Sequence, residues 1–384
     1  VSVILLGLLG FLAVLALVNT LVLRRLSEYR HVSLSATPRV SLLVPARNEE
    51  QTLPGLLSSL ARQDYPDLEI IVLSDQSTDG TLKTLHDWAL RIPALRLLEG
   101  APLPAGWLGK NWACHQLSRA SNGELLVFTD ADTTWQPDGV RLIVQAMTRT
   151  RADALSAWPE HPVTGWFSGL VQPVQQWSLL AFLPMALVPV PTFPVAVAAI
   201  GQLLVFRRDA YDRVGGHEGV RASVIEDMAL ARAVKRAGLR FQLMNAVGTV
   251  SCRMYGSTAE VWNGFAKNVY PASGATPAAM IGLIVMVWIV AVLPWLWLAS
   301  SLMVGSGLLE PLLAACLSLL PRILSDWRYG YPMLLWVAHP FSVIGWTLIA
   351  LESWRRYASG RVAWKGRDYD LRNDKNTVSD EVSA

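Results

Sequence analysis

Cysteine is scarce. The 384 residues hold three, Cys114, Cys252 and Cys316, far apart and in no C-x-x-C spacing. That excludes a cysteine zinc site and a disulfide framework, and it suits a reducing cytoplasm. Charge is scarce too: charged residues make up 16% against 52% hydrophobic ones, and mean hydropathy is positive. Such a chain is too apolar for an ordinary soluble enzyme and too charged for membrane helices alone, so a soluble domain joined to membrane segments is expected. Glycine phosphate cradles are missing. No G-x-G-x-x-G follows the first strand-like run and no G-x-x-x-x-G-K-[ST] occurs, which removes a Rossmann-type dinucleotide fold and a P-loop. No G-x-S-x-G or Cys/His pairing marks a covalent nucleophile. Internal repeats and low-complexity tracts are absent as well. The net charge is only +3. Basic residues gather beside the apolar runs, where they suit anionic lipid headgroups rather than nucleic acid.

Residues 1–23 carry no charge and are long enough to span a bilayer; Arg24, Arg25 and Arg30 follow them. Charges after the apolar run reverse the order of a cleavable signal, so an uncleaved anchor is expected. Residues 278–304 are uncharged, 308–321 carry only Glu310, and 332–351 carry none apart from His339, with Arg322, Asp326 and Arg328 dividing the last two stretches. These predict a C-terminal transmembrane region over 278–351, followed by a basic, polar tail over 352–384. The positive-inside rule places both the middle of the chain and the tail in the cytoplasm. That requires an even number of crossings after Ala278, whereas three apolar stretches are present.

Between 39 and 275 the pattern changes. "VSLLVPA" (40–46), "LEIIVLSD" (68–75), "ALRLLEG" (94–100) and "ELLVFTD" (124–130) are short apolar runs ending in polar or turn residues. They read as buried strands of a mostly parallel sheet. Helical patterns over 53–63, 81–91 and 111–121 separate them, which predicts a doubly wound α/β domain. Ligands of such sheets sit beyond the carboxyl ends of the strands. Collected there are Ala46 to Glu49, then Asp75, then Asp130 and Asp132. Two carboxylates at i and i+2 on a strand end can converge on one Mg²⁺ or Mn²⁺, whose shell is usually completed by water and substrate phosphates. They can equally cap the turn behind them. Asp75 can accept hydrogen bonds from a base or ribose. Glu226 and Asp227 open a helix that Gly238 closes, where carboxylates also favour the helix dipole.

Taken in order, "LLVPARNEE", "LSDQSTDGT", "GKNWACHQLSRASNGELLVFTDADT" and "VGGHEGVRASVIEDMALARAVKRAG" resemble the successive motifs of membrane-bound family 2 glycosyltransferases of GT-A fold. "AIGQLLVFRRDAYDRVGGHEGV", together with "WKGRDY" in the tail, is similar to the bacterial hopanoid-associated, carotenoid and ceramide glycosyltransferase-like groups. The resemblance covers about residues 40–268, and it implies a role for each site residue. Ala46 and Glu49 line the nucleotide pocket, and Asp75 contacts uracil or ribose. Lys110 approaches the donor phosphates, or else is a solvated lysine at a helix start. Asp130 lies on the ribose or metal side and Asp132 on the metal. Asp227 is the catalytic base, supported by Glu226. The implied reaction is inverting transfer of one sugar from a nucleotide-sugar donor, a UDP-hexose, with a divalent cation, Mg²⁺ or Mn²⁺, at the diphosphate. The implied location is a multi-pass cell-membrane protein with its catalytic domain in the cytoplasm.

The acceptor is read from residues 169–206. This stretch has no charge in 38 residues and holds Pro173, Pro184, Pro189, Pro191 and Pro194. Prolines at that density prevent one straight helix. Two readings stand: a buried core element, or an apolar interfacial insert opening a path from the bilayer to the base, with Trp166 and Trp177 at headgroup level. The second implies a membrane lipid acceptor of carotenoid, hopanoid or glycolipid type, glycosylated at a hydroxyl or carboxyl. The alternatives are a processive polysaccharide synthase, whose Q-x-x-R-W motif is not found, and a non-catalytic lipid-binding scaffold.

Overall fold

The computed structural model describes residues 2–34, 36–359, 361–364 and 367–370, with backbone alone for the last two spans. They divide into two compact units. The first comprises 23–162 and 185–253. Its seven strands are β1 (Val40–Ala46), β2 (Leu68–Ser74), β3 (Leu95–Glu99), β4 (Leu125–Thr129), β6 (Ala154–Trp158), β7 (Leu203–Arg207) and β8 (Phe241–Asn245), and a short pair outside them joins β5 (Thr133–Trp135) to β9 (Val250–Cys252). The main sheet runs β3-β2-β1-β4-β7-β6-β8. β3, β2, β1 and β4 are parallel, and β7 runs antiparallel to both β4 and β6. The four strands expected from apolar runs fall within a residue of their expected ends, because each run is bounded by turn residues that cannot extend it. Their side chains fill one core: Val40, Leu42, Val44, Ile70, Val72, Leu125 and Val127 are buried there beside Leu53, Leu56 and Leu57 of helix Leu53–Leu60.

The apolar stretch 169–206 is not one insert. Helices Trp166–Val171 and Pro173–Phe182 belong to the second unit, residues 185–202 form turns of the first, and 203–206 belong to β7 in the middle of the sheet. For those last four residues the buried-element reading holds: Leu203, Val205 and Phe206 have no exposure, and Leu204 has 2%. An antiparallel central strand shielded on both faces is as uncharged as an interfacial segment, so charge count alone does not separate them.

The second unit takes the first 22 residues, 163–184 and 254 onward. Helix Ser2–Val22 packs on Leu309–Tyr329 and on Pro173–Phe182. Its buried Asn19 donates to the carbonyls of Leu180 (2.8 Å) and Leu183 (2.6 Å). Among the described residues two helices are long and apolar enough to cross a membrane, Ser2–Val22 and Met333–Ala358, and Thr258–Ala272 with Pro277–Ala291 adds a third only if this pair, bent by 112°, counts as one broken span. The charges expected to divide two stretches instead lie within Leu309–Tyr329, where fully buried Arg322 holds Asp326 at 2.8 Å. The start of the tail expected over 352–384 continues helix His339–Ala358, Arg361–Trp364 pairs antiparallel with Arg367–Asp370, and residues 360, 365, 366 and 371–384 lie outside the described residues.

Candidate active site

Parallel register brings the strand ends together. Ala46 lies opposite Ser74, and Leu43 opposite Phe128, so the residues after β1, β2 and β4 share one edge. The loops after β1 and β2 are tied into one ledge. Asp75 N–H donates to Ala46 O at 2.7 Å, and Arg47 Nη1 donates to the carbonyls of Asp75 (2.8 Å) and Gln76 (3.2 Å). Asn48 Oδ1 accepts from Thr78 N–H at 2.8 Å. Asn48 and Gln76 both take positive φ, 53° and 51°. Asn tolerates this conformation, whereas for Gln it is uncommon and is held by the surrounding bonds. Asp75 is buried at 1% exposure. Glu49 sits at the ledge's edge, its backbone N–H on Thr81 Oγ1 (2.8 Å) and its carboxylate on the Thr52 hydroxyl (2.6 Å).

The turn after β4 is fixed by hydroxyls. Thr133 Oγ1 donates to Asp130 O (2.9 Å), and Thr129 Oγ1 donates to Gln202 O (2.9 Å). Beyond the turn, β5 pairs with β9, which places Cys252 beside Asp132. Burial pushes the Cys252 thiol well above its ordinary range, and the carboxylates of Asp132 and Asp130 add to this, so it stays a neutral donor to Asp132.

Four expected residues converge around Gly201. Lys110 Nζ contacts Asp130 Oδ1 at 2.9 Å and Glu226 Oε1 at 3.0 Å. A Cβ on Gly201 would lie 2.8 Å from Lys110 Nζ, 3.2 Å from Glu226 Oε1 and 3.6 Å from Asp227 Oδ2. Lys110 stands in the first turn of helix Gly109–Ala120, where a cation opposes the helix dipole. Its two carboxylate partners offset this, so the solvated-lysine reading does not hold. Burial works against its charge, but Asp130 and Glu226 outweigh that and raise its pKa well above the usual lysine value. Asp227 is pushed up to about 7, by burial first and by the Glu226 carboxylate second, against Lys110 and the N–H groups of Met228 and Gly201. A carboxylate poised near neutrality can take a proton in the working pH range, as a general base requires.

Gly201 was not expected from sequence, and its only signal there is a glycine interrupting an apolar run before a strand. Asp130 and Asp132 are the two carboxylates that could hold a cation. Among the described residues no three His, Cys, Asp or Glu side chains form a metal cage. Two carboxylates fit a Mg²⁺-type site that a diphosphate completes, rather than an all-protein cage.

Residues 41–215 match the glycosyl transferase family 2 model. Over 349 residues the chain is 27% identical to the 4,4'-diaponeurosporenoate glycosyltransferase of Staphylococcus aureus strain USA300, covering 88% of this chain and 89% of that one. The strain MRSA252 form matches at 27% over 348 residues, with the same coverage. Among solved structures, the mannosyltransferase PcManGT from Pyrobaculum calidifontis, in complex with GDP-Man and Mn²⁺, superposes with a TM-score of 0.54 at 20% identity, covering 91% of this chain and 98% of that one. That likeness establishes the GT-A fold.

Proposed function

For a chain that is a glycosyltransferase and carries a family 2 domain, we propose inverting transfer of one sugar from a nucleotide-sugar donor to a membrane lipid acceptor. The observation that carries this reading is the convergence of Lys110, Asp130, Glu226 and Asp227 at Gly201, which joins the β4 strand end to a carboxylate poised near neutrality. The donor lies along the ledge of Ala46, Glu49 and Asp75, with its diphosphate toward Asp130, Asp132 and Lys110. Asp227 takes the proton of the acceptor oxygen as that oxygen attacks the anomeric carbon from the face opposite the nucleotide. Glu226 holds Lys110 in place, and Lys110 keeps part of the Asp227 population ionised. Asp130 and Asp132 would hold a divalent cation, which would supply charge neutralisation at the diphosphate. The Mn²⁺ of the Pyrobaculum enzyme supports Mg²⁺ or Mn²⁺ here, and its GDP-Man leaves UDP-hexose as one of two donor classes to assay.

A membrane lipid acceptor is supported by the staphylococcal relative's name and by residues 185–202. These turns hold no charge, and they expose Phe193 (45%) and Val195 (88%). They are fastened to the base-bearing helix Glu226–Arg236: buried Lys235 donates to the carbonyls of Leu187 (3.1 Å), Val188 (2.9 Å) and Ala196 (2.8 Å), and Ala199 N–H meets Met228 Sδ at 3.2 Å. An apolar surface fastened to the base suits a lipid acceptor reached from a bilayer. The apolar helices of the second unit support a multi-pass membrane protein, and the arginines after the first apolar run support a catalytic unit in the cytoplasm. A polysaccharide synthase or an inactive scaffold has no observation in its favour.

The test is mass spectrometry of membrane lipids from cells with and without the gene, expecting a species heavier by one hexose. On purified protein, Asp132→Asn or excess chelator is expected to abolish donor turnover while the protein stays folded. Full activity under either condition would remove the cation from this reading.

A further inference from the structure

Next to Lys110 stands a residue with no assigned part. Asn111 is 1% exposed, and its Nδ2 lies 2.8 Å from Val220 O, 3.1 Å from Arg221 O and 3.0 Å from Ser223 O. All three partners are carbonyls, so the amide's orientation is fixed: only the NH₂ group can face them. They belong to a loop that enters helix Glu226–Arg236 three residues later. Two neighbours of Asn111 reach the same segment. Leu108 N–H donates to Arg221 O at 2.9 Å, and Lys110 Nζ contacts Glu226 at 3.0 Å. Three residues of one short segment, Leu108, Lys110 and Asn111, thus hold 220–226. A helix of the donor-side half of the sheet fixes the approach to the base.

We propose that Asn111 is a positioning residue for the transfer: it sets the register of residues 220–226 and thereby the placement of Asp227. The inference rests on the assignment of Asp227 as base. Asn111 touches neither substrate nor any reacting atom. Its effect is geometric, and a displacement near 1 Å at a catalytic group can cost about 10²-fold in rate. Three carbonyl oxygens discriminate sharply among replacements. An alanine leaves them unserved, a serine restores one donor, and an aspartate sets a carboxylate against them.

The experiment uses the full chain in nanodiscs. Expected for Asn111→Ala is a kcat lowered by at least ~10-fold, nucleotide Kd within about twofold of wild type, and faster hydrogen exchange at amides 220–226. Asn111→Ser is expected to recover part of the rate, and Asn111→Asp to fall below alanine. Unchanged exchange at 220–226 overturns the clamp whatever the activity. Unchanged kcat, or loss of nucleotide binding in step with kcat, overturns the positioning role. If Asn111→Asp does not fold, the alanine and serine variants carry the same comparison. Failure of the parent reading looks different, since Asp227→Asn would then turn over like wild type while exchange in Asn111→Ala still rises.

Discussion

At the scale of single residues, chemistry is concentrated in Asp227. Replacing it by Asn is expected to lower transfer by at least the ~10²-fold of a lost general base, with nucleotide binding retained. Because its pKa stands at about 7, kcat should climb as pH rises through neutrality and level off above it. The same shift destabilises the folded protein. Between the unfolded value near ~4 and about 7 the folded state holds the extra proton, so stability falls as pH rises across that window. In Asp227→Asn that slope should flatten, which chemical denaturation at several pH values would measure. An unchanged slope would show that Asp227 ionises as freely folded as unfolded.

At the scale of elements, the short packing distance at Gly201 is a testable constraint. In Gly201→Ala the new methyl would displace Lys110 Nζ from its two carboxylates. Since only the tip of a flexible side chain must move, Tm should change little while kcat drops. A large loss of Tm with kcat retained in the folded fraction would show that the backbone, not Lys110, gave way. How far such features can be read in sequence depends on their range. β1, β2 and β4 were legible because burial on both faces leaves runs dominated by Val, Ile and Leu, and their ends carried the acidic residues; edge strand β3, with Arg96 and Glu99 exposed, showed only a short leucine run. The pairing of Lys110 with Glu226 spans 116 positions (226 − 110) and left no local pattern. Gly201 and Asn111 act on carbonyls or side chains brought in by folding, so neither has a signature. The stretch 169–206 misled because helix, turn and antiparallel core strand can all be built from uncharged residues.

At the scale of the whole molecule, the decisive question is whether 185–202 meets lipid. Two variants separate the contributions. Lys235→Met keeps the side chain's length but strips three carbonyls of their donor, at a cost of order ~2 kcal/mol. The loop should loosen on the base helix, and lipid glycosylation should fall more than slow donor hydrolysis by water. Val195→Glu works from outside. At 88% exposure the side chain has no packing to lose, so Tm should hold. A carboxylate there must enter the apolar layer of an anionic bilayer, which costs energy in proportion to its depth. Transfer to a lipid acceptor in anionic nanodiscs should therefore drop, and transfer to the same acceptor in neutral detergent should not. Equal activity in both settings would place Val195 in water, and the acceptor would then have to reach Asp227 by a route other than these turns.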